Sequence, residues 1–570
     1  MRMSTDFNHL HEGKKGIKEN ANFSITNNRH PKGNRARVLL TSVFGPYAQD
    51  DEFGSRLLNP MELYHNQITR KQGVFSPRHF HQSWGIMMIQ ENISAPCTVL
   101  DFPTREAFAR EITANSYDII GISSIVINLE KVREMCRLIR EKSPGSVIVV
   151  GGHVAGIPDL EKIVDADFVV KGEGISWMRS YLGEDPNAPI HHPVISSGFN
   201  MRVLGVKIPN WMTDTLALIT SVGCPEGCNF CSTSSFFGGK GNMVNFYPTG
   251  EELFNVMDDL ATRSGKNSFY IIDENFLLQK QRTKELIELM RNNGKSWSLN
   301  IFSSVKALKQ YTEEELLDLG INFVWIGLES PRASYAKLKE SDTMQLVEEL
   351  KRLGILTLGS MIIGLDHHTP ENIVDEVEHI IDHGTIACQF MLYTPLPGTP
   401  FYKEMKEQER LLDVDLADSH GQYAFNFKHP AISREESKKI MDWAFQRDFE
   451  YNGPTYFRLC RTTFEGWKRF RNHPEPRIRN RFRSKVPNLR FLYPPVLWAM
   501  EKMLREKNKP IAMEIRQLRQ EIEREFGFLT KLIVRLFGPV VLWIARREEK
   551  RLARGQTYEP PTIITRRRWA

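Results

Sequence analysis

Cysteine is scarce in this chain of 570 residues, and the seven that occur (Cys97, Cys136, Cys224, Cys228, Cys231, Cys388 and Cys460) are an odd number with four scattered at no useful spacing. That excludes the disulfide framework of a small secreted domain and predicts a reducing, cytosolic setting. Aspartate is missing after residue 450. Residues 451–570 hold 28 Lys and Arg against 11 Glu, a net of +17, which leaves −11 for residues 1–450. Such asymmetry excludes an evenly charged surface and calls for a polyanionic partner, either an anionic membrane surface or a nucleic acid. Long apolar runs are also lacking. Two uncharged stretches, FLYPPVLWAM (491–500) and LFGPVVLWIA (536–545), are ten residues each. A bilayer span needs about twenty, so neither is expected to cross a membrane, although each could lie on one. The first twenty residues hold no signal-like apolar segment, and 1–34 reads as a disordered leader.

What is present is a long alternation of apolar runs and helical patterns. RVLLTSV, DIIGISSIV, VIVVGGH and FVVKGEG, with the helix LEKVREMCRLIREKS among them, predict an open, doubly wound parallel sheet over 35–200. EDPNAPIHHPVISSG reads as a connector. A second series over 210–425 has six strands alternating with helices, from ALITSVG to CQFMLYT, and predicts a partial or complete α/β barrel. Residues 426–570 are expected to form a basic helical module without strands.

The densest chemical signal is CPEGCNFC, with Cys224, Cys228 and Cys231 just after a predicted strand. Three thiolates can ligate three irons of a [4Fe-4S] cube and leave the fourth iron open to a small molecule. A zinc site would rather use paired C-x2-C units or added histidines.

On these residues the chain resembles the radical S-adenosylmethionine (SAM) enzymes, in the branch that carries a cobalamin-binding domain. The resemblance implies that SAM chelates the open iron and that Phe230 lies against its adenine. It also implies that an acidic strand end in FYIIDENF, Asp273 or Glu274, holds the methionine amino group. VWIGLES (Glu329, Ser330), GSMIIGL (Gly364), MLYTPLPGTPFY and the serines Ser303 and Ser304 of SLNIFSS match further strand-end motifs of the same branch. In the N-terminal sheet, GISSIV (Ser123) and VVGGH (Gly151, Gly152) match elements of the cobalamin-binding domain. The loop that would bring a histidine to cobalt does not match. FGPYAQDDEFGSR stands there instead, and an insertion of about fifty residues, with His65, His79 and His81, is expected to separate the first strand from DIIGIS. The pairs His191-His192 and His367-His368 read equally well as plain loop residues.

The resemblance implies hydrogen abstraction from an unactivated carbon, with cobalamin-dependent C-methylation of a lipid-like or other hydrophobic small molecule as the leading outcome. Cobalamin-independent C–C bond formation, cyclisation or rearrangement is the first alternative. A tRNA-modifying enzyme is another, but such enzymes carry a second cysteine trio in the N-terminal domain, where this chain has only Cys97 and Cys136, so a nucleic-acid partner is not expected. A non-catalytic cobalamin or SAM sensor is the last. The expected partners are a hydrophobic substrate, an electron donor of the reductase, flavodoxin or ferredoxin kind, and an anionic membrane surface. That surface would be met as a peripheral protein on the inner face, through the decamers tipped by Trp498 and Trp543.

Overall fold

The computed structural model describes residues 29–47, 51–53, 73–75, 80–209, 215–329, 342–556 and 558–568. Its first sheet is built from β1 (Val38–Ser42), β2 (Cys97–Asp101), β3 (Ile119–Ser123), β4 (Val147–Gly151) and β5 (Phe168–Val169). These five are parallel, in the order β2-β1-β3-β4-β5. Successive side chains of a strand point to opposite faces, so Leu39, Ile120, Ile122 and Ile148 join one apolar core with Phe108, Val132 and Met135. Val38, Leu40, Val99 and Ile119 join a second core with Ile86 and Met178. Both faces are thus covered by helices, as the continuous apolar runs predicted.

Two expectations need correction here. The stretch before DIIGIS is not one fifty-residue insertion, because the helix Trp84–Asn92, strand β2 and the helix Arg105–Ala114 all lie within it and belong to the sheet unit. The signal for β2 was CTVLD, bracketed by Pro96 and Pro103. The sheet is also not wholly parallel. A final strand, Ile563–Arg567, pairs antiparallel with β2 from Ile563↔Asp101 to Arg567↔Cys97 and forms the outer edge.

The second sheet comprises β6 (Thr215–Leu218), β7 (Ser268–Ile271), β8 (Ser298–Ser304), β9 (Ile321–Gly327), β10 (Leu356–Ile363) and β11 (Ala387–Leu392). All neighbours are parallel and in sequence order, an open arc with β6 and β11 at its two edges. Its helices are sharply delimited. Gly250–Ser264 and Glu313–Leu319 each start on a Thr/Glu capping box and end on a left-handed glycine, Gly265 and Gly320. The edge strand of the first sheet, Ile563–Arg567, is hereafter β12.

After the arc and the helix Pro400–Glu407 come the helices Arg434–Asn452, Thr455–Phe470, Pro476–Arg483, Tyr493–Leu504, Lys509–Phe526 and Phe528–Ala553. Part of the basic surplus is consumed inside the protein. Arg458 makes a two-pronged bond to buried Asp448 at 2.9 and 2.8 Å. Arg477 and Arg481 reach Asp318 and the Leu317 carbonyl at the C-terminal end of the helix Glu313–Leu319, where cations offset the helix dipole. The apolar decamer 536–545 is not an isolated run. It lies in the helix Phe528–Ala553, 26 residues long, which is long and apolar enough to cross a membrane by length and composition. The sequence reading stopped at Arg535, whereas the helix tolerates Lys531 and Arg535 within one continuous element.

Candidate functional site

The cysteine loop follows β6 through Thr220 and Ser221. Gly227 takes the turn between Cys224 and Cys228 at φ +68°, and a Cβ there would stand 2.5 Å from the Lys240 Cβ, so only glycine fits. The Cys231 N–H donates to the Cys228 carbonyl at 3.1 Å. The Cys231 sulfur caps the short helix Ser232–Phe236 by accepting from the Ser234 N–H at 3.4 Å. The Ser234 hydroxyl donates back to the Cys224 carbonyl at 2.8 Å, which ties the loop to that helix. The three thiols remain partly accessible, whereas Cys97, Cys136, Cys388 and Cys460 are buried. Burial pushes the Cys224 and Cys231 thiols up to about 11, with Glu274 and the neighbouring thiols adding to the rise. Three soft donors gathered on one accessible loop suit an iron-sulfur cluster, whose irons take the place of the thiol protons.

FYIIDENF divides its polar residues three ways. Asp273 is buried and fully engaged: Oδ1 accepts from the Thr220 and Ser221 N–H groups at 3.0 and 2.9 Å, and Oδ2 accepts from the Thr220 hydroxyl and from Arg282 at 3.0 Å. It therefore braces the root of the cysteine loop, with both carboxylate oxygens engaged by protein. Glu274 instead stands beside Cys224 and Cys231. Its side chain is exposed, yet protein crowds it at longer range. That burial pushes its carboxyl up to about 7, against a hydrogen bond from Thr233 that lowers it, with Asp273 raising it further.

Asn275 is the residue that sequence reasoning missed. Its amide oxygen accepts from the Ser303 hydroxyl and the Ser304 N–H at 3.2 and 3.1 Å, and its Nδ2 donates to Ser304 Oγ at 3.0 Å. Ser304 Oγ also accepts from the Ala307 N–H, which leaves its own proton to donate. The signal was available, since three consecutive polar residues at a strand end have three different directions to serve.

Phe230 packs edge-on against Tyr393, with centroids 5.6 Å apart, and Tyr393 stacks on Phe401 at 3.8 Å. The Tyr393 hydroxyl donates to Asn229 Oδ1 at 3.2 Å, and the Phe401 N–H donates to the Asn229 carbonyl at 3.0 Å. The CNFC turn is thus docked on the end of β11. Glu329, just after β9, is buried and left-handed at φ +52°, a conformation non-glycine residues adopt mainly where surrounding structure enforces it. Ser330 lies outside the described residues. Gly364 turns at φ +96°, and a Cβ there would fall 2.2 Å from the Phe425 ring, so the packing of Phe425 also requires glycine.

In the first sheet, Ser123 and Gly151 are paired at the ends of β3 and β4. Gly152 turns at φ +78°, where a Cβ would meet the Ser124 carbonyl oxygen at 2.5 Å. His153 follows and lies 5.0 Å from the ring of Phe236, so the segment after β4 packs on the helix that follows the cysteine loop. Burial holds the His153 ring down at about 4, and its Nδ1 has no partner among the described residues. The buried Asn128 side chain likewise leaves both amide atoms unbonded there. Orphaned polar groups at these strand ends fit a polar ligand such as cobalamin. Directly after β1, the described residues 43–47 and 51–53 include no histidine. Lys131 fastens this segment instead, donating to the Phe44 and Pro46 carbonyls at 3.0 and 2.9 Å and pairing with Asp51.

Several of the remaining histidines make packing or bracing contacts. His81 packs edge-on against Trp84, while His65 and His79 lie outside the described residues. His192 accepts the Ile219 N–H at Nε2, 3.0 Å, and contacts the Pro193 carbonyl through Nδ1 at 2.7 Å, tying the connector to the end of β6. His367, His368 and Glu376 are close enough to suggest a metal site. The His368 Nδ1, however, accepts the N–H groups of Gly364 and Leu365 at 2.9 and 3.2 Å, so its proton sits on Nε2, facing Glu376 at 3.2 Å. A metal at Nε2 would have to displace that proton from a ring whose other nitrogen is already an acceptor. The trio braces the Gly364 turn. A cavity of about 410 Å³ between the helices Thr343–Arg352 and Thr455–Phe470 is lined by none of these strand-end residues.

An accessible trio of soft thiols at a strand end of a parallel arc, on a loop whose following helix packs against the doubly wound sheet unit, defines an α/β enzyme built around a soft-metal centre. Residues 218–380 match the Radical SAM superfamily and residues 76–181 match the B12 binding domain. The chain thus carries a Radical SAM domain behind a B12-binding domain, and a [4Fe-4S] cluster and SAM are the cofactors of the radical SAM class.

It is 25% identical over 414 residues to the bacteriochlorophyllide d C-12(1)-methyltransferase of Chlorobaculum tepidum, covering 68% of this chain and 85% of that one. To the bacteriochlorophyllide d C-8(2)-methyltransferase of the same organism it is 24% identical over 315 residues, covering 51% of this chain and 69% of that one. The solved structure of the radical SAM methyltransferase TsrM from Kitasatospora setae, with cobalamin and [4Fe-4S] cluster bound, aligns over 79% of this chain and 99% of its own. That alignment has 16% identity and a TM-score of 0.49.

Proposed function

We propose that this enzyme methylates an unactivated carbon of a hydrophobic small molecule by cobalamin-dependent radical chemistry, working as a peripheral protein at a membrane surface. The observation that carries the reading is the packing of the segment after β4 on the helix that follows the cysteine loop, His153 against Phe236. Two relatives named as bacteriochlorophyllide methyltransferases support a large apolar substrate for this chain.

When bound, cluster, SAM and cobalamin together supply the carbon-centred radical and the methyl group. In this reading Cys224, Cys228 and Cys231 hold the cluster, and Glu274 holds the SAM ammonium by a charge-assisted bond. Phe230, braced by Tyr393, walls the adenine side. Ser304, oriented by Asn275, donates its proton toward the ribose. Glu329 and Gly364 shape the neighbouring strand ends, and Ser123, Gly151 and Gly152 border the cobalamin groove. The chemistry needs an external one-electron donor, for which a flavodoxin or ferredoxin is the expected class.

The test is anaerobic reconstitution with iron, sulfide and cobalamin, followed by reduction in the presence of SAM labelled on its methyl group. Cluster absorbance, retained cobalamin, 5'-deoxyadenosine and label in a bacteriochlorophyllide-type or polyprenoid acceptor are the expected results. Release of 5'-deoxyadenosine without retained cobalamin would overturn methylation in favour of a cobalamin-independent rearrangement.

A further inference from the structure

The helix Phe528–Ala553 has two unlike faces. Its buried residues, Thr530, Val534, Gly538, Ala545 and Glu548, run along its length. Gly538 lies against Trp498 of the helix Tyr493–Leu504, where a Cβ would stand 2.8 Å from the indole. Glu548 binds Arg551 and abuts Gly205, and Glu549 pairs with Lys507 at 2.9 Å. At 3.6 residues per turn the opposite arc is Phe528, Leu532, Leu536, Val540 and Trp543. All of these are exposed, Phe528 by 78% and Trp543 by 62%. Among the described residues nothing covers that arc. Lys531 and Arg535 stand along one margin, while Arg546, Arg547 and Lys550 stand past its C-terminal end, and no acidic residue occurs from Phe528 to Arg547. The Arg547 guanidinium sits 5.9 Å from the Trp543 ring centroid.

We infer that this helix lies in the plane of an anionic lipid surface, with the Leu532–Trp543 arc in the acyl boundary and the flanking cations among the headgroups. Its length would let it span, but its packing argues against that. One face is bonded to protein from Thr530 to Glu548. A spanning helix would also draw Lys531 and Arg535 into hydrocarbon, where charged side chains are costly. An in-plane helix keeps both cations at the surface by snorkelling, while the apolar arc is removed from water. Charge complementarity selects the occupant: an apolar band with cations on its margin and no acidic residue from Phe528 to Arg547 matches anionic headgroups over acyl chains.

The inference deepens the peripheral reading given above but uses no step of the radical chemistry. The full-length protein is floated with phosphatidylcholine vesicles, with and without phosphatidylglycerol, and Trp fluorescence is recorded. The expected results are co-flotation with anionic vesicles that added salt weakens, and a blue shift that a Trp543→Phe variant reduces. Leu536→Glu together with Val540→Glu should lower binding at least about tenfold. Lys531→Gln with Arg535→Gln should remove the preference for phosphatidylglycerol. All these substitutions are exposed, so melting curves should match the wild type. Wild type that fails to float at low salt, or glutamate variants that float equally well, would overturn the inference. So would a concentration-dependent dimer that the glutamate variants abolish, since a second copy would then be the occupant. Cluster assembly and SAM cleavage without vesicles are read in parallel, so failure at the membrane is separable from failure of the chemistry.

Discussion

Asp273 and Glu274 are adjacent carboxylates with opposite duties. Replacing Asp273 by Asn leaves Arg282 buried without its counter-charge and weakens the hold on the Thr220 and Ser221 amides. Breaking a buried pair of this kind costs about 3–5 kcal/mol. The Asp273→Asn protein should therefore melt well below wild type and lose its cluster secondarily. Glu274→Gln should melt like wild type and still assemble a cluster, but bind SAM at least about tenfold more weakly by equilibrium titration, because the charge-assisted bond is lost. Equal melting of Asp273→Asn and wild type would sink the structural assignment. The acidic pair was legible as a strand-end feature. Which member faces the cysteines was not, because the answer depends on where Arg282, nine residues on, returns its guanidinium. Gly364 teaches the same lesson, since a glycine in a motif can answer to a neighbour such as Phe425 that lies sixty residues away in the chain.

Among the elements, the regular ones were legible from local pattern. The arc strands and their capped helices follow from apolar runs, Thr/Glu boxes and terminal glycines, and these occur in the order the sequence suggested. The misses share a physical cause. β2 is a five-residue segment between prolines, β12 is a short basic segment that becomes a strand only by pairing, and the apolar helix carries Lys531 and Arg535, which break its apolar run. Tertiary partners settle such segments, and local propensity does not.

β12 is held by more than its ladder. Gln90 donates to the Thr565 carbonyl at 2.9 Å, Arg566 pairs with Glu111 at 2.7 Å, and Glu559 accepts the Tyr47 N–H at 2.7 Å. A chain ended before Glu559 should melt about 2–5 °C lower and elute partly as aggregate in gel filtration, since the freed edge of β2 can pair with other chains. An unchanged melt with monodisperse elution would show that β12 is dispensable.

At the scale of the whole molecule, the layers meet at buried neutral histidines. His153 lies at the seam between the two sheet units, His192 joins the connector to β6, and His383 sits between arc helices, contacting Thr343 at 2.9 Å. Burial holds all three near 4, below the ordinary value of 6.5. Between 6.5 and 4 the unfolded chain therefore binds protons that the folded chain does not, so stability falls as the pH drops through that window and is insensitive to these rings above it. A single fully buried ring contributes up to about 3 kcal/mol of that loss. Urea midpoints should fall from pH 7 to pH 5, and His192→Gln should show a shallower fall from a lower starting point. Sequence alone gave the succession of sheets and helices but not these seams, because a histidine in a loop carries no mark of what will close over it.

The pairing of β12 with β2 also has a temporal side. Gln90 and Thr565, bonded across that edge, are 475 residues apart. At about 5–20 residues per second, the N-terminal sheet waits tens of seconds on the ribosome for its outer strand. Through that interval the growing chain carries an open sheet edge at β2, so the sheet of the B12-binding domain reaches its final form only after residues 563–567 have been made.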